Sequence, residues 1–126
     1  MPGKDKKILI VDDDSLILDM YSLKFTNSGF EVESALSAVQ ALKKLRCGFT
    51  PDVILADIMM PEMDGLEMLT AIRKEGLVKG ALRVILSNKG EKSDIEQGKQ
   101  MGVSAYIVKS NSTPAEVVEQ VMNLLN

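Results

Sequence analysis

At 126 residues the chain has the size of one domain, and its 45% hydrophobic and 26% charged residues argue against intrinsic disorder. Net charge is -3, from 15 basic against 18 acidic residues, so the clustered basic surplus of a nucleic-acid binder is missing and direct nucleic-acid contact is not expected. Histidine is absent, which removes the commonest general base and the usual zinc ligand sets.

No apolar run approaches the ~20 residues of a membrane span. The N-terminal segment leads only into Ile8-Leu9-Ile10-Val11 before three aspartates, too short for the apolar region of a signal peptide. The single cysteine, Cys47, rules out an internal disulfide framework and suits a reducing compartment. A cytoplasmic domain spanning residues 1–126, without membrane insertion, is the expectation.

Five short aliphatic runs follow in chain order: Lys7 to Val11, Phe30 to Ser34, Val53 to Asp57, Arg83 to Ser87 and Ala105 to Lys109. Their spacing of roughly 22 to 30 residues accommodates one strand, one helix and two turns. Ile8-Leu9-Ile10-Val11, Val53-Ile54-Leu55-Ala56 and Val84-Ile85-Leu86 are continuously apolar, as parallel strands buried on both faces must be. Phe30-Glu31-Val32-Glu33 alternates and reads as an edge strand.

Between the runs lie helix-start signatures: Ser37 with Gln40, Asp64 with Glu67, Ser93 with Glu96, and Thr113 with Glu116 behind Pro114. Each couples a capping side chain to an acid or amide three residues on. Helical spacing of apolar residues predicts buried stripes Leu16/Met20/Leu23, Val39/Leu42/Leu45, Leu66/Leu69/Ile72 and Val117/Val121/Leu124. The fourth helix has the weakest stripe, Ile95 and Met101 around Gly98. The alternation is (βα)5, a doubly wound α/β fold with a parallel sheet.

In such folds function gathers at the carboxyl ends of the strands. Here those ends carry Asp12, Asp13 and Asp14, then Asp57, Ser87 and Lys109. Two unit charges of like sign ~4 Å apart repel by about 4 kcal/mol at an effective dielectric near 20. A convergent aspartate cluster therefore holds a proton or recruits a cation, and oxygen-only ligands favour a hard divalent ion, Mg²⁺ first. Asp14 or Ser15 suffices to cap the first helix, which leaves two aspartates surplus. With Lys109 as a cation and Ser87 as a hydroxyl, the set suits phosphoryl transfer to a carboxylate.

These segments resemble the receiver (response-regulator) domain family, including its single-domain chemotaxis members. The resemblance rests on Ile8 to Asp14, on Pro51-Asp52-Val53-Ile54-Leu55-Ala56-Asp57-Ile58-Met59-Met60-Pro61-Glu62-Met63-Asp64-Gly65, on Ser87 and on Tyr106-Ile107-Val108-Lys109. It implies a flavodoxin-like sheet of order 2-1-3-4-5 and a signalling domain that catalyses only its own phosphoryl transfer and dephosphorylation. Asp57 would be the phosphoacceptor, served by a sensor histidine kinase or a histidine phosphotransfer protein. Asp12, Asp13, Asp57 and the backbone carbonyl of Met59 would hold Mg²⁺. Ser87 and Lys109 would hold the phosphoryl group, and Ser87 with Tyr106 would form the switch toward a downstream protein or output domain. A tyrosine in an aliphatic strand is equally a packing residue.

The chain departs from the family in two places. Ser110 stands where proline usually follows the lysine, so the Lys109–Ser110 bond is open to the trans form and Lys109 to a different aim. Asn88 replaces a small residue beside Ser87. Two other interpretations remain: a receiver used only for docking, and a dehalogenase-like phosphatase whose D-x-D nucleophile would be Asp12. Nucleotide enzymes lack support, since neither glycine-rich phosphate motif is present.

Overall fold

Strands that are apolar without interruption need cover on both faces, and the computed structural model, which describes residues 5–125, supplies it. Residues 1–4 and 126, and with them most of the N-terminal segment discussed above, lie outside the described residues. The elements run β1 (Lys7–Val11), α1 (Ser15–Asn27), β2 (Glu31–Ala35), α2 (Ala38–Arg46), β3 (Val53–Ala56), α3 (Gly65–Lys74), β4 (Leu82–Ser87), α4 (Lys92–Gln100), β5 (Ala105–Val108) and α5 (Pro114–Leu124). All neighbouring strands pair in parallel, in the order β2-β1-β3-β4-β5. This is the (βα)5 sheet expected, with the alternating segment at one edge.

The pleat divides each central strand between two cores. Leu9, Val11, Ile54, Ala56 and Ile85 face Leu42 and Leu45 of α2 and Met68, Leu69 and Ile72 of α3. Ile8, Ile10, Val53, Leu55, Val84 and Leu86 face Leu18 and Phe25 of α1 and Val117 and Val121 of α5. A one-residue slip of any central strand would exchange these partners, so both cores together fix the register.

Helix starts follow the capping chemistry with one exception. Asp14 accepts from the N–H groups of Leu16 and Ile17, Ser37 accepts from that of Gln40, and Asp64/Glu67 and Thr113/Glu116 form reciprocal capping boxes. α4 does not begin behind Ser93. It starts at Lys92, and the Asp94 carboxylate accepts from the Glu91 N–H while pairing with Lys89. Ser93 thus lies inside the first turn, where its hydroxyl caps nothing. The fifth strand ends one residue early, because Lys109 opens a 3-10 turn, Lys109–Asn111.

The stripe expected on α1 is the wrong one. Leu16, Met20 and Leu23 are exposed, Leu16 at 79% and Leu23 at 62%, whereas Leu18, Tyr21 and Phe25 are buried. Ser15 to Phe25 carries two overlapping apolar registers, and the one with the aromatic rings removes more apolar area from water. Phe25 also meets Phe30 edge to face with ring centroids 5.0 Å apart. Val39 and Leu124, the outer members of two other expected stripes, are likewise exposed.

This face assignment has an energetic signature. Phe25→Ala is expected to cost about 3–5 kcal/mol of unfolding free energy, and Leu23→Ala to stay within about 0.5 kcal/mol of wild type. Urea unfolding of the two variants measures both. Equal costs would contradict the burial of the Phe25 face.

Candidate functional site

Parallel pairing brings the chain's acids together. Val11 and Ala56 are register partners at the ends of β1 and β3, and the Asp57 N–H donates to the Val11 carbonyl at 3.0 Å. Asp12 and Asp57 therefore leave adjacent strands at the same level. Both are buried, at 3% and 8% exposure, while Asp13 is exposed. One carboxylate oxygen from each of the three lies within 4.8 Å of the others. Asp14 stands apart as the cap of α1, so a single one of the three consecutive aspartates serves the helix.

Lys109 closes the cluster from the turn just after β5. Its Nζ lies 2.7 Å from Asp12 Oδ2 and 3.0 Å from Asp57 Oδ2. No described peptide bond is cis, so Lys109–Ser110 is trans, and the lysine reaches the site nonetheless. Burial works against the ammonium, but the hydrogen bonds to Asp12 and Asp57 outweigh it and hold the Lys109 pKa above its ordinary value. Three carboxylates less one ammonium leave a formal charge of -2. The donor set is oxygen only, and its residual charge is that of a divalent cation in reverse. The residues present thus fit Mg²⁺.

The remaining oxygens are also engaged. Asp12 Oδ1 accepts from the Asp14 N–H at 2.9 Å, and Asp57 Oδ1 from the Met59 N–H at 3.1 Å. The second contact places the Met59 backbone beside the cluster while its side chain points to solvent. Behind Asp57 the chain packs closely against α3. A Cβ on Gly65 would sit 2.2 Å from the Asp57 carbonyl oxygen and 3.0 Å from the Ile58 Cα, so only glycine fits there.

On the other side of β3, β4 ends in Ser87, fully buried, whose Oγ accepts from the Lys89 N–H at 3.2 Å. Lys89 in turn offers its carbonyl to the Tyr106 hydroxyl and its ammonium to Asp94 of α4. The Tyr106 ring lies where a Cβ on Gly98 of α4 would touch it, at 2.9 Å from Cδ2. Burial, and then the charges of Asp94 and Asp57, push the Tyr106 pKa up, so the hydroxyl remains a donor at neutral pH. Asn88 is exposed. The backbone link through Lys89 was not predictable from residue types, since main-chain groups carry no sequence signal. All of Asp12, Asp13, Asp57, Ser87 and Lys109 meet at one end of the sheet, with Tyr106 joined through Lys89.

Comparison with known proteins agrees with this geometry. The response regulator receiver domain profile matches residues 8–122. The alkaline phosphatase synthesis transcriptional regulatory protein PhoP of Bacillus subtilis is 35% identical over 121 residues, 96% of this chain and 49% of its own length. The chain thus spans about half the length of the curated relatives it matches. The chemotaxis protein CheY4 of Vibrio cholerae superposes with a TM-score of 0.87 at 29% identity, over 95% of this chain and 98% of that one. A CheY-like receiver domain protein of Methanospirillum hungatei superposes with a TM-score of 0.84 at 31% identity, over 97% and 94%. The chain belongs to the response regulator receiver domains, the phosphoryl-accepting signalling modules of two-component systems.

Proposed function

We propose that residues 1–126 act as a single receiver in which Asp57 is the acceptor. One observation carries this assignment: Asp57 directly follows the central strand β3, flanked by β1, which Asp12 follows, and by β4, which ends in Ser87. A carboxylate oxygen of Asp57 forms the bond to phosphorus as the phosphorus–nitrogen bond of a donor phosphohistidine breaks. The electron pair stays on the imidazole, and the product is an acyl phosphate. The donor is a sensor histidine kinase or a histidine phosphotransfer protein, as suits a receiver of a two-component system. Water reverses the state by hydrolysis, so the domain turns over nothing but its own phosphoryl group.

Asp12, Asp13, Asp57 and the Met59 carbonyl would hold Mg²⁺, which when bound offsets charge on the transferring phosphoryl oxygens. Lys109 then serves as the cation paired with the phosphoryl group on Asp57. Ser87 turns its hydroxyl toward the same oxygens and gives up the Lys89 N–H. Because Lys89 also holds Tyr106 and Asp94, the added charge of nearly two units biases the β4–α4 segment toward a second arrangement. The surface of α4, β5 and α5 presents that change to a downstream protein or to an output domain. Contact with nucleic acid by this chain itself is disfavoured by its net charge of -3. Among the described residues no helix is long and apolar enough to cross a membrane, and we place the domain in the cytoplasm beside its donor.

The exposed Leu16, Met20 and Leu23 give the donor a landing face. They follow the site directly along α1, and each is apolar where solvent exposure alone would favour polar residues. The dehalogenase-like alternative gains nothing from the structure: Asp14, the second aspartate of its D-x-D pattern, caps α1 and stands outside the acidic cluster.

Incubation with acetyl phosphate and Mg²⁺, followed by intact mass, tests the acceptor. Wild type gains one phosphoryl mass, the gain is lost with a chelator, and Asp57→Asn shows none. A gain that persists in Asp57→Asn moves the acceptor elsewhere, and no gain in wild type favours a docking-only receiver. For the donor face, Leu16→Ala/Leu23→Ala is expected to slow transfer from a phosphorylated histidine phosphotransfer domain at least tenfold while leaving acetyl phosphate labelling unchanged. Equal slowing with both donors would place the effect inside the site.

A further inference from the structure

The sheet end opposite Asp57 carries a second cavity, which phosphoryl transfer does not use. It measures about 440 Å³, inside the range of small-ligand sites, and lies between the C-terminal ends of α3 and α4. Arg73, Lys79 and Arg83 line it, with Leu77 and Met101 among the apolar wall residues. Arg83 stands four positions before Ser87 along β4, which at about 3.3 Å per residue is roughly 13 Å. The two sites are therefore distinct.

Its charges are uncompensated. Among the described residues, Arg73, Lys79 and Arg83 form no ion pair. The acid nearest in sequence, Glu75, is held by both ends of the Arg46 guanidinium at 2.6 and 2.8 Å. Arg83 is also poorly satisfied. Its Nε is buried with no hydrogen-bond partner, and its terminal nitrogens reach only the Leu77 and Ala81 carbonyls, at 3.5 Å. A buried donor left unmade is costly, and guanidinium groups pair preferentially with planar or phosphate oxyanions. Three cations concentrated in one concave, partly apolar pocket of a chain with net charge -3 is an arrangement that solubility does not require.

We propose that this cavity is a binding site for a small organic anion, a carboxylate or phosphate monoester carried on an apolar body. The oxyanion meets Arg73, Lys79 and Arg83, and the apolar part rests against Leu77 and Met101. Gln100 and Met101 end the helix whose Gly98 lies on Tyr106, so a ligand here touches the same element that the phosphoryl site biases.

Amide chemical shifts of the metal-free protein, titrated with phenyl phosphate and separately with benzoate, test the proposal. Benzyl alcohol and inorganic phosphate serve as controls for the two halves of the ligand. Saturable shifts at Leu77, Arg83 and Met101 are expected with one or both aromatic anions, at least tenfold weaker binding in Arg73→Gln/Lys79→Gln, and unchanged binding in Asp57→Asn. Arg73 and Lys79 are exposed, so that variant keeps the fold. Absence of saturable shifts with both anions overturns the site. Benzyl alcohol binding as tightly overturns the role of charge, and inorganic phosphate binding as tightly reduces the site to general anion attraction. Loss of binding in Asp57→Asn would relocate it to the acidic end.

Discussion

One ammonium shared by two buried carboxylates holds the functional end of this domain together. Lys109 reaches Asp12 and Asp57 from the turn that follows β5, two places removed in the sheet from β3, across a sequence separation of 97 and 52 residues. Without it, two adjacent strand ends would present like charges out of water, a cost that desolvation makes several-fold larger than at the surface. With it the cluster still carries a formal -2, because Asp13 joins from the exposed side. The site is therefore neither neutral nor saturated. It is stable enough to fold and charged enough to attract a divalent cation.

The sheet sets this geometry and the two cores set the sheet. Because β1, β3 and β4 are buried on both faces, their register has almost no freedom, and their C-terminal residues inherit that precision. Gly65 extends the same rigidity past β3, since the backbone behind Asp57 is packed against α3 too closely for any side chain. The fourth helix differs in kind. Its only buried residue is Gly98, which packs against Tyr106 and Ile85 of the sheet, and Asp94 ties it to Lys89 in the loop after β4. Elements with few buried apolar contacts open and shift most cheaply, so the fold places a rigid acidic site beside a loosely held helix.

How much of this the residues disclosed varies with the physics involved. Unbroken apolar runs identify strands covered on both faces, and strand ends in an α/β sheet identify the site, so Asp12, Asp57, Ser87 and Lys109 are readable from position alone. The buried face of α1 is not, because Leu16/Met20/Leu23 and Leu18/Tyr21/Phe25 satisfy helical periodicity equally and only tertiary packing separates them. The start of α4 is ambiguous for a similar reason: Glu91/Asp94 and Ser93/Glu96 overlap, and the helix takes the earlier pair, with Asp94 accepting from the Glu91 N–H. Ser110 suggested a redirected lysine, yet the 3-10 turn at Lys109–Asn111 accompanies a trans bond with the ammonium still in reach. The link from Ser87 through the Lys89 main chain to Tyr106 has no residue-type signature at all.

The central claim is that Lys109 and a divalent ion answer the same excess of negative charge. Magnesium titration of wild type and Lys109→Met, read by the urea midpoint with and without metal, tests it directly. The account predicts that Lys109→Met is less stable than wild type in the absence of metal, binds Mg²⁺ more tightly, and recovers more of its stability when the ion is added. A variant that binds Mg²⁺ no better than wild type and gains no more stability from it would contradict the account.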